Sequence, residues 1–187
     1  MAPVQTPPAD RDVPEPVSDP LSIVALETER YVSGAGWDQP TRLFALVPSA
    51  DLLAREPALA SRSGISDLAP GALSAVEQDE LPEHAGLEDL LAQIAWPEAV
   101  TGAAIVVERI VLPPDAEREL PREDEAALRA LARHPAREDI RLVVAVTRAG
   151  EHRCLLRQRS HDRDDRVASG PDLAPGLVSA LAATLRA

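Results

Sequence analysis

The tract RQRSHDRDDRVASGPD, Arg157 to Asp172, puts a serine, a histidine and several carboxylates within a few residues. Two kinds of chemistry use such groups. His161, Asp162, Asp164 and Asp165 have the atoms for a metal site, but they are crowded and interleaved with arginine, unlike an EF-hand loop or a zinc site. Ser160 and His161 supply a hydroxyl and a base, but a catalytic triad is assembled in space from separated positions, and neighbours in sequence do not build one. The tract therefore reads as a solvated loop. His84, His134 and His152 lie far apart without ligand spacing. Phosphate-binding loops, dinucleotide fingerprints and nucleophile elbows are missing as well. The sequence assigns no catalytic residue, no metal ligand and no cofactor.

Two other groups of residues deserve a binding reading. Glu108 and Arg109 interrupt the most apolar run of the chain, AAIVVERIV. On a strand they point to opposite faces. A buried unpaired charge costs several kcal/mol, so each needs a partner or solvent. They either line a pocket or pair with a covering element. The second group is arginine. From Arg129 to Arg166 there are ten Arg against six acids, whereas the whole chain carries −12. Arg141 alternates with an apolar set, and Arg153, Arg157 and Arg159 share one face of the next strand. This hairpin is expected either to present an anion- or partner-binding face or to be an edge guarded by charge. Arg141, Arg153, Arg157, Glu108 and Arg109 are the candidate binding residues.

The tryptophans occur in GWDQPTRLFALVP and IAWPEAVTGAAIVVERIVLPP, each beside an acid and a proline. Without a histidine or a second carboxylate at fixed spacing, both read as structural. Trp37 is expected to pack under a sheet edge with Asp38 capping a turn, and Trp96 to close an apolar helix face. Cys154 reads as a small buried apolar group.

The elements that must position these residues follow from periodicity and punctuation. Asp19 is a helix cap with Pro20 at the first turn, giving a helix over 20–33. Arg42 to Val47 is a strand, apolar on both faces. A helix follows from Ala50 to about Ala60. Ser74 and Glu77 have the spacing of a capping box in an otherwise polar stretch. Leu87, Leu90, Leu91 and Ile94 define a helix closed by Pro97. Gly102 to Leu112 is a central strand, Glu123 to Arg133 an amphipathic helix with acids early and bases late. Ile140–Thr147 and Glu151–Arg159 form a hairpin around RAGE. A last helix starts at Asp172. The expected fold is α+β: a single domain, 20–187, with a four-stranded, mainly antiparallel sheet covered by helices. The long connection between the first two strands suits a parallel crossover. Residues 1–19, rich in proline and poor in large apolar groups, are expected to form a disordered acidic tail.

Composition limits the partners. All 19 basic residues are arginine, and neither lysine nor asparagine occurs; both have AT-rich codons, which points to a GC-rich genome. A net charge of −12 opposes nucleic-acid binding, which needs a positive footprint. One cysteine fits a reducing compartment. The start of the chain lacks a basic and apolar leader, and no apolar run is long enough to span a bilayer. A cytoplasmic protein is expected.

At GWDQPTRLFALVPSADLLAREPAL, LEDLLAQIAWPEAVTGAAIVVERIVLPP and SGPDLAPGLVSALAATL the chain resembles a family of small, acidic, uncharacterised proteins from high-GC Gram-positive bacteria, over residues 20–187. The resemblance implies an actinobacterial cytosolic origin and carries no established activity or site residues. Two functions are expected to compete. One is a non-enzymatic interaction protein, an adaptor or chaperone-like binder with a protein partner or a second copy of itself. The other is a small-ligand binder or enzyme using the sheet face around Glu108 and Arg109 and the arginine-rich hairpin. A flat apolar patch favours the first, a deep pocket where Glu108, His152 and arginines converge the second.

Overall fold

A computed structural model describes residues 19–58, 69–79, 81–83 and 85–186. The expected tail over 1–18, the expected end of the second helix near Ala60, and His84 lie outside the described residues. Among the described residues, helices and strands follow in the order α1 (Pro20–Ser33), β1 (Arg42–Pro48), α2 (Ser49–Arg55), β2 (Leu73–Glu77), α3 (Leu87–Ala92), β3 (Gly102–Val111), α4 (Pro114–Glu117), α5 (Asp124–Arg133), β4 (Glu138–Thr147), β5 (His152–Gln158), β6 (Ala168–Gly170) and α6 (Pro175–Thr184). Two short 3-10 turns, Arg159–His161 and Asp164–Arg166, lie between β5 and β6.

The strands form one sheet in the order β2-β1-β3-β4-β5-β6, every neighbouring pair antiparallel. The α+β class stands. The expected count of four strands is corrected to six, and the suggested parallel crossover is absent from this sheet. The two added strands are its edges. Ser74 and Glu77, with the spacing of a capping box, lie instead on the edge strand β2. The Ser74 hydroxyl meets that of Ser49 at 2.7 Å, and Glu77 reaches Arg42. β6 has three residues, Ala-Ser-Gly, and no propensity signal.

The period of two sorts the strands onto two cores. Leu43, Ile105, Val107, Leu142, Val144 and Cys154 face α3 and α6, whose Leu91, Leu181 and Leu185 complete that layer. Phe44, Leu46, Ala104, Val106, Val143 and Leu155 face α1 through its Leu21, Val24, Ala25 and Val32. α1 matches its expected bounds: the Asp19 carboxylate accepts from the Ser22 N–H at 2.9 Å, which satisfies one orphan donor of the first turn. α6 starts three residues later than expected, at Pro175, because that proline occupies the first helical turn.

Arg148, in the turn between β4 and β5, ties one end of the sandwich together. Its Nε donates to the Val100 carbonyl at 2.8 Å and its Nη2 to the Trp96 and Pro97 carbonyls at 3.1 and 3.2 Å. Its Nη1 donates to the Leu185 carbonyl. The WPEAV signature thus serves as a carbonyl cradle for one guanidinium. Trp96, four residues beyond the end of α3, packs in the apolar layer with its indole N–H donating to the Thr184 hydroxyl at 3.0 Å.

Candidate functional site

Of the charged residues singled out in the sequence, Glu108, Arg141 and Arg157 converge at one end of the α1 face, whereas Arg153 lies at the start of α1 and Arg109 alternates onto the opposite face. Register sets Glu108 opposite Arg141 and Arg141 opposite Arg157, so an acid and two arginines form a row across β3, β4 and β5. Neighbouring side chains on one sheet face lie about 5 Å apart, and two adjacent guanidiniums need carboxylates close by. Arg141 donates from Nη2 to Glu108 Oε1 at 2.9 Å and to the Gly36 carbonyl. Arg157 clamps Glu29 of α1 through Nε and Nη2 at 2.6 and 2.7 Å, and also reaches Asp162 at 3.1 Å and Asp164 at 2.8 Å. Arg141 and Arg157 are 1% and 2% exposed, so the hairpin is an inner part of the sheet rather than a charged outer face. Arg153 is the partly exposed member, pairing with Asp19 at 3.3 Å and with the Ser22 hydroxyl at 2.6 Å.

The GWDQP stretch closes over this row. Gly36 and Asp38 both have positive φ, 83° and 66°. The resulting curl aims the Asp38 and Gln39 N–H groups at Glu108 Oε2, at 2.8 and 3.3 Å. Trp37 lies over the Arg141 guanidinium, 4.5 Å from ring centre to charge, and its indole N–H donates to Asp162 at 2.9 Å. The cation–π geometry and the hydrogen bond give Trp37 a place above the sheet row rather than beneath an edge. Asp38 holds Arg159 with two bonds, 2.8 and 2.9 Å. The tract after β5 is correspondingly fastened by Asp162 and Asp164, not merely solvated. The hydrogen bond from Trp37, with the one from Arg157, holds the Asp162 carboxyl below its ordinary range. Hydrogen bonds from Arg159 do the same for Asp38.

Beside this network a charged cleft of about 300 Å³ is lined by Asp38, Glu108, Arg109, Arg137, Asp139 and Arg159. Three acids face three bases. Arg109 is exposed here, with one long contact to the Glu108 carbonyl at 3.4 Å. His152 sits opposite Val146, toward the other end of the sheet, so it does not converge with Glu108. Ser160, His161 and Glu138 do meet: the serine hydroxyl touches Glu138 Oε2 and His161 Nδ1, both at 2.8 Å. The acid contacts the serine and not the imidazole, so the order of a triad is not formed. Among the described residues no group of three or more His, Cys, Asp or Glu is placed to hold a metal, and no helix is long and apolar enough to cross a membrane.

A second concavity has a different character. α1, α2 and β2 enclose a groove of about 540 Å³ lined by Val24, Thr28, Phe44, Leu52, Leu53 and Ala75, with Glu27, Tyr31, Ser49, Ser74, Val76 and Glu77 also on its wall. Phe44 and Thr28 form a buried floor, 2% exposed each, while Tyr31 is 59% exposed. Tyr31 meets Phe44 edge-on at 6.3 Å, lies 4.9 Å from the Arg42 guanidinium, and donates its hydroxyl to Glu77 Oε2 at 3.0 Å. Arg42 grips Glu77 through Nε at 2.5 Å and Nη2 at 2.7 Å. Those bonds hold the Glu77 carboxyl below its ordinary range despite partial burial. The sequence did not single out this groove, because its β2 wall carried the false capping box. The alternation of Leu73, Ala75 and Glu77 was its only trace.

No curated protein and no solved structure matches the chain. A family model described as PPA1309-like protein matches residues 21–186, nearly the whole of the described fold and all the residues of both concavities, and the chain belongs to that uncharacterised PPA1309-like family.

Proposed function

We propose that this domain is a non-enzymatic binding module that receives a segment of a partner protein in the groove between α1, α2 and β2. The observation that carries the reading is the groove itself: an apolar floor, hydroxyl groups on the wall, and an exposed tyrosine and valine at the rim. Concave apolar sites with a few placed polar groups are where proteins bind ligands and partners. The buried arginines of the hairpin support the reading indirectly. Arg157 is engaged with Glu29, Asp162 and Asp164, and Arg141 with Glu108; the Nε and Nη1 of Arg141 have no hydrogen-bond partner among the described residues, but they are buried and so not open to an external anion. A cytoplasmic setting fits the single, buried, unpaired Cys154 and the acidic chain.

The test compares wild type with Leu53→Asp in a pull-down from the native cell, after matching melting temperatures. A protein recovered by wild type and lost with the variant supports groove binding. Equal recovery by both overturns it, and recovery of the chain itself identifies a homodimer.

A second reading places a small ligand in the charged cleft at Glu108 and Arg109. Asp139 Oδ1 favours it, being buried without a hydrogen-bond partner among the described residues. A ligand N–H donor would satisfy that oxygen. Asp139→Asn would abolish binding of such a ligand and leave groove binding intact.

A further inference from the structure

We infer that the partner segment is extended, apolar and basic, and that it adds to the sheet as a strand beside β2. The inference rests on the reading of the groove as a binding surface. β2 ends the strand order and has β1 as its one strand neighbour among the described residues. The Gln78 N–H donates to the Leu43 carbonyl at 2.8 Å, and the Ser49 N–H to the Ala72 carbonyl at 2.9 Å. Even-numbered positions therefore bond to β1. Bonding sides alternate along an antiparallel strand, so the backbones of Leu73, Ala75 and Glu77 point away from β1. A segment laid along this edge meets three residues' worth of N–H and C=O groups. That is strand addition, in which main-chain bonds give affinity and pockets for alternate side chains give specificity.

The groove supplies the pockets. It adjoins the same strand, and Ala75 is on its wall. Alternate residues of an added strand point to one face about 7 Å apart, so apolar side chains on the α1 side of the segment lie along the groove beside Ala75. A docked helix would leave the main-chain groups of the β2 edge without partners, because its own backbone bonds are internal.

Charge selects the polar positions. The ionic groups on the groove wall are Glu27 and Glu77, both acids. Arg42 neutralises Glu77. Glu27 is exposed and has no ion-pair partner among the described residues, in a chain of net −12. A lysine or arginine in the segment is drawn to it, and an acidic segment is repelled.

The experiment pans a phage-displayed library of random twelve-residue peptides against the full chain, then synthesises the enriched sequences. Alternating apolar residues with lysine or arginine between them are expected. Each peptide is then N-methylated at alternate residues in the two possible registers. An added strand loses at least tenfold in affinity in one register and little in the other. A helical binder loses affinity in both, and a peptide held by side chains alone in neither; either result overturns strand addition. Glu27→Gln is expected to weaken binding several-fold and to flatten its salt dependence. Acidic enriched peptides, or no enrichment, overturn the inferred partner chemistry. Loss of peptide binding in Leu53→Asp, whatever the N-methyl pattern, separates the groove reading from the strand reading.

Discussion

Arg157 and Glu29 are locked together by two parallel hydrogen bonds of 2.6 and 2.7 Å between β5 and α1, with 2% and 1% of the two side chains exposed. A forked guanidinium–carboxylate pair fixes geometry as well as charge. It pins the helix to the sheet between Ala25 and Val32, two of the buried apolar residues of α1.

Removing one partner of a buried pair leaves the other uncompensated, at about 3–5 kcal/mol. Arg157→Ala is expected to cost that much, because Glu29 is then buried alone. Glu29→Gln is expected to cost less, because Asp162 and Asp164 still hold the guanidinium. Arg153→Ser should stay within about 0.5 kcal/mol, as a half-exposed surface change. Denaturant midpoints rank the three, and a harmless Arg157→Ala would show that the pair does not fasten α1.

Gly102→Ala is expected to destabilise. A Cβ at this position would lie 2.5 Å from the Val146 backbone oxygen and 3.3 Å from Leu46. Neither β4 nor β1 gives way cheaply, so a loss of about 1–3 kcal/mol follows, as for other overpacked sites. Thermal unfolding measures it; an unchanged melting temperature would mean that β3 and β4 separate more easily than their ten-residue register implies.

Stability should fall in acid. Glu77, Asp38 and Asp162 are each held below their ordinary carboxylate range, first by hydrogen bonds from Arg42, Arg159 and Trp37 respectively. A carboxylate depressed in the folded state contributes stability above its unfolded pKa and loses it as pH falls through the folded value. Unfolding free energy should therefore be level near neutrality and decline below about pH 5. Glu77→Gln should be less stable than wild type at pH 7, with the gap closing toward pH 3. A pH-independent gap would remove Glu77 from the account.

Cys154 should resist modification. It is fully buried, its Sγ lies 3.7 Å from the Pro171 carbonyl, and burial pushes its thiol pKa up. The thiolate is the reactive form. A disulfide reagent at pH 8 should label the native protein far more slowly than the urea-unfolded chain. Equal rates would place the thiol at the surface.

The sequence by itself determined the elements with strong local signals. Asp19-Pro20 set the start of α1, the run from Gly102 set the central strand, and Gly150 set the hairpin turn, where the observed φ is 91°. Each is a local matter of capping, β-branched packing or left-handed backbone. The alternation of β4 and β5 also showed that the arginines share faces with apolar residues. What it did not show was the depth of those faces. Arg141 looks like an exposed charge in one dimension, but α1 and the GWDQP loop bury it, and their positions depend on contacts more than a hundred residues apart in sequence. Only the tertiary structure brought Glu29 and Asp162 to Arg157, made LSAVE an edge strand, and left a groove between α1, α2 and β2. Local patterns specify which elements form. Burial, ion pairing and open edges arise from how those elements are assembled, because each is a property of the space between them.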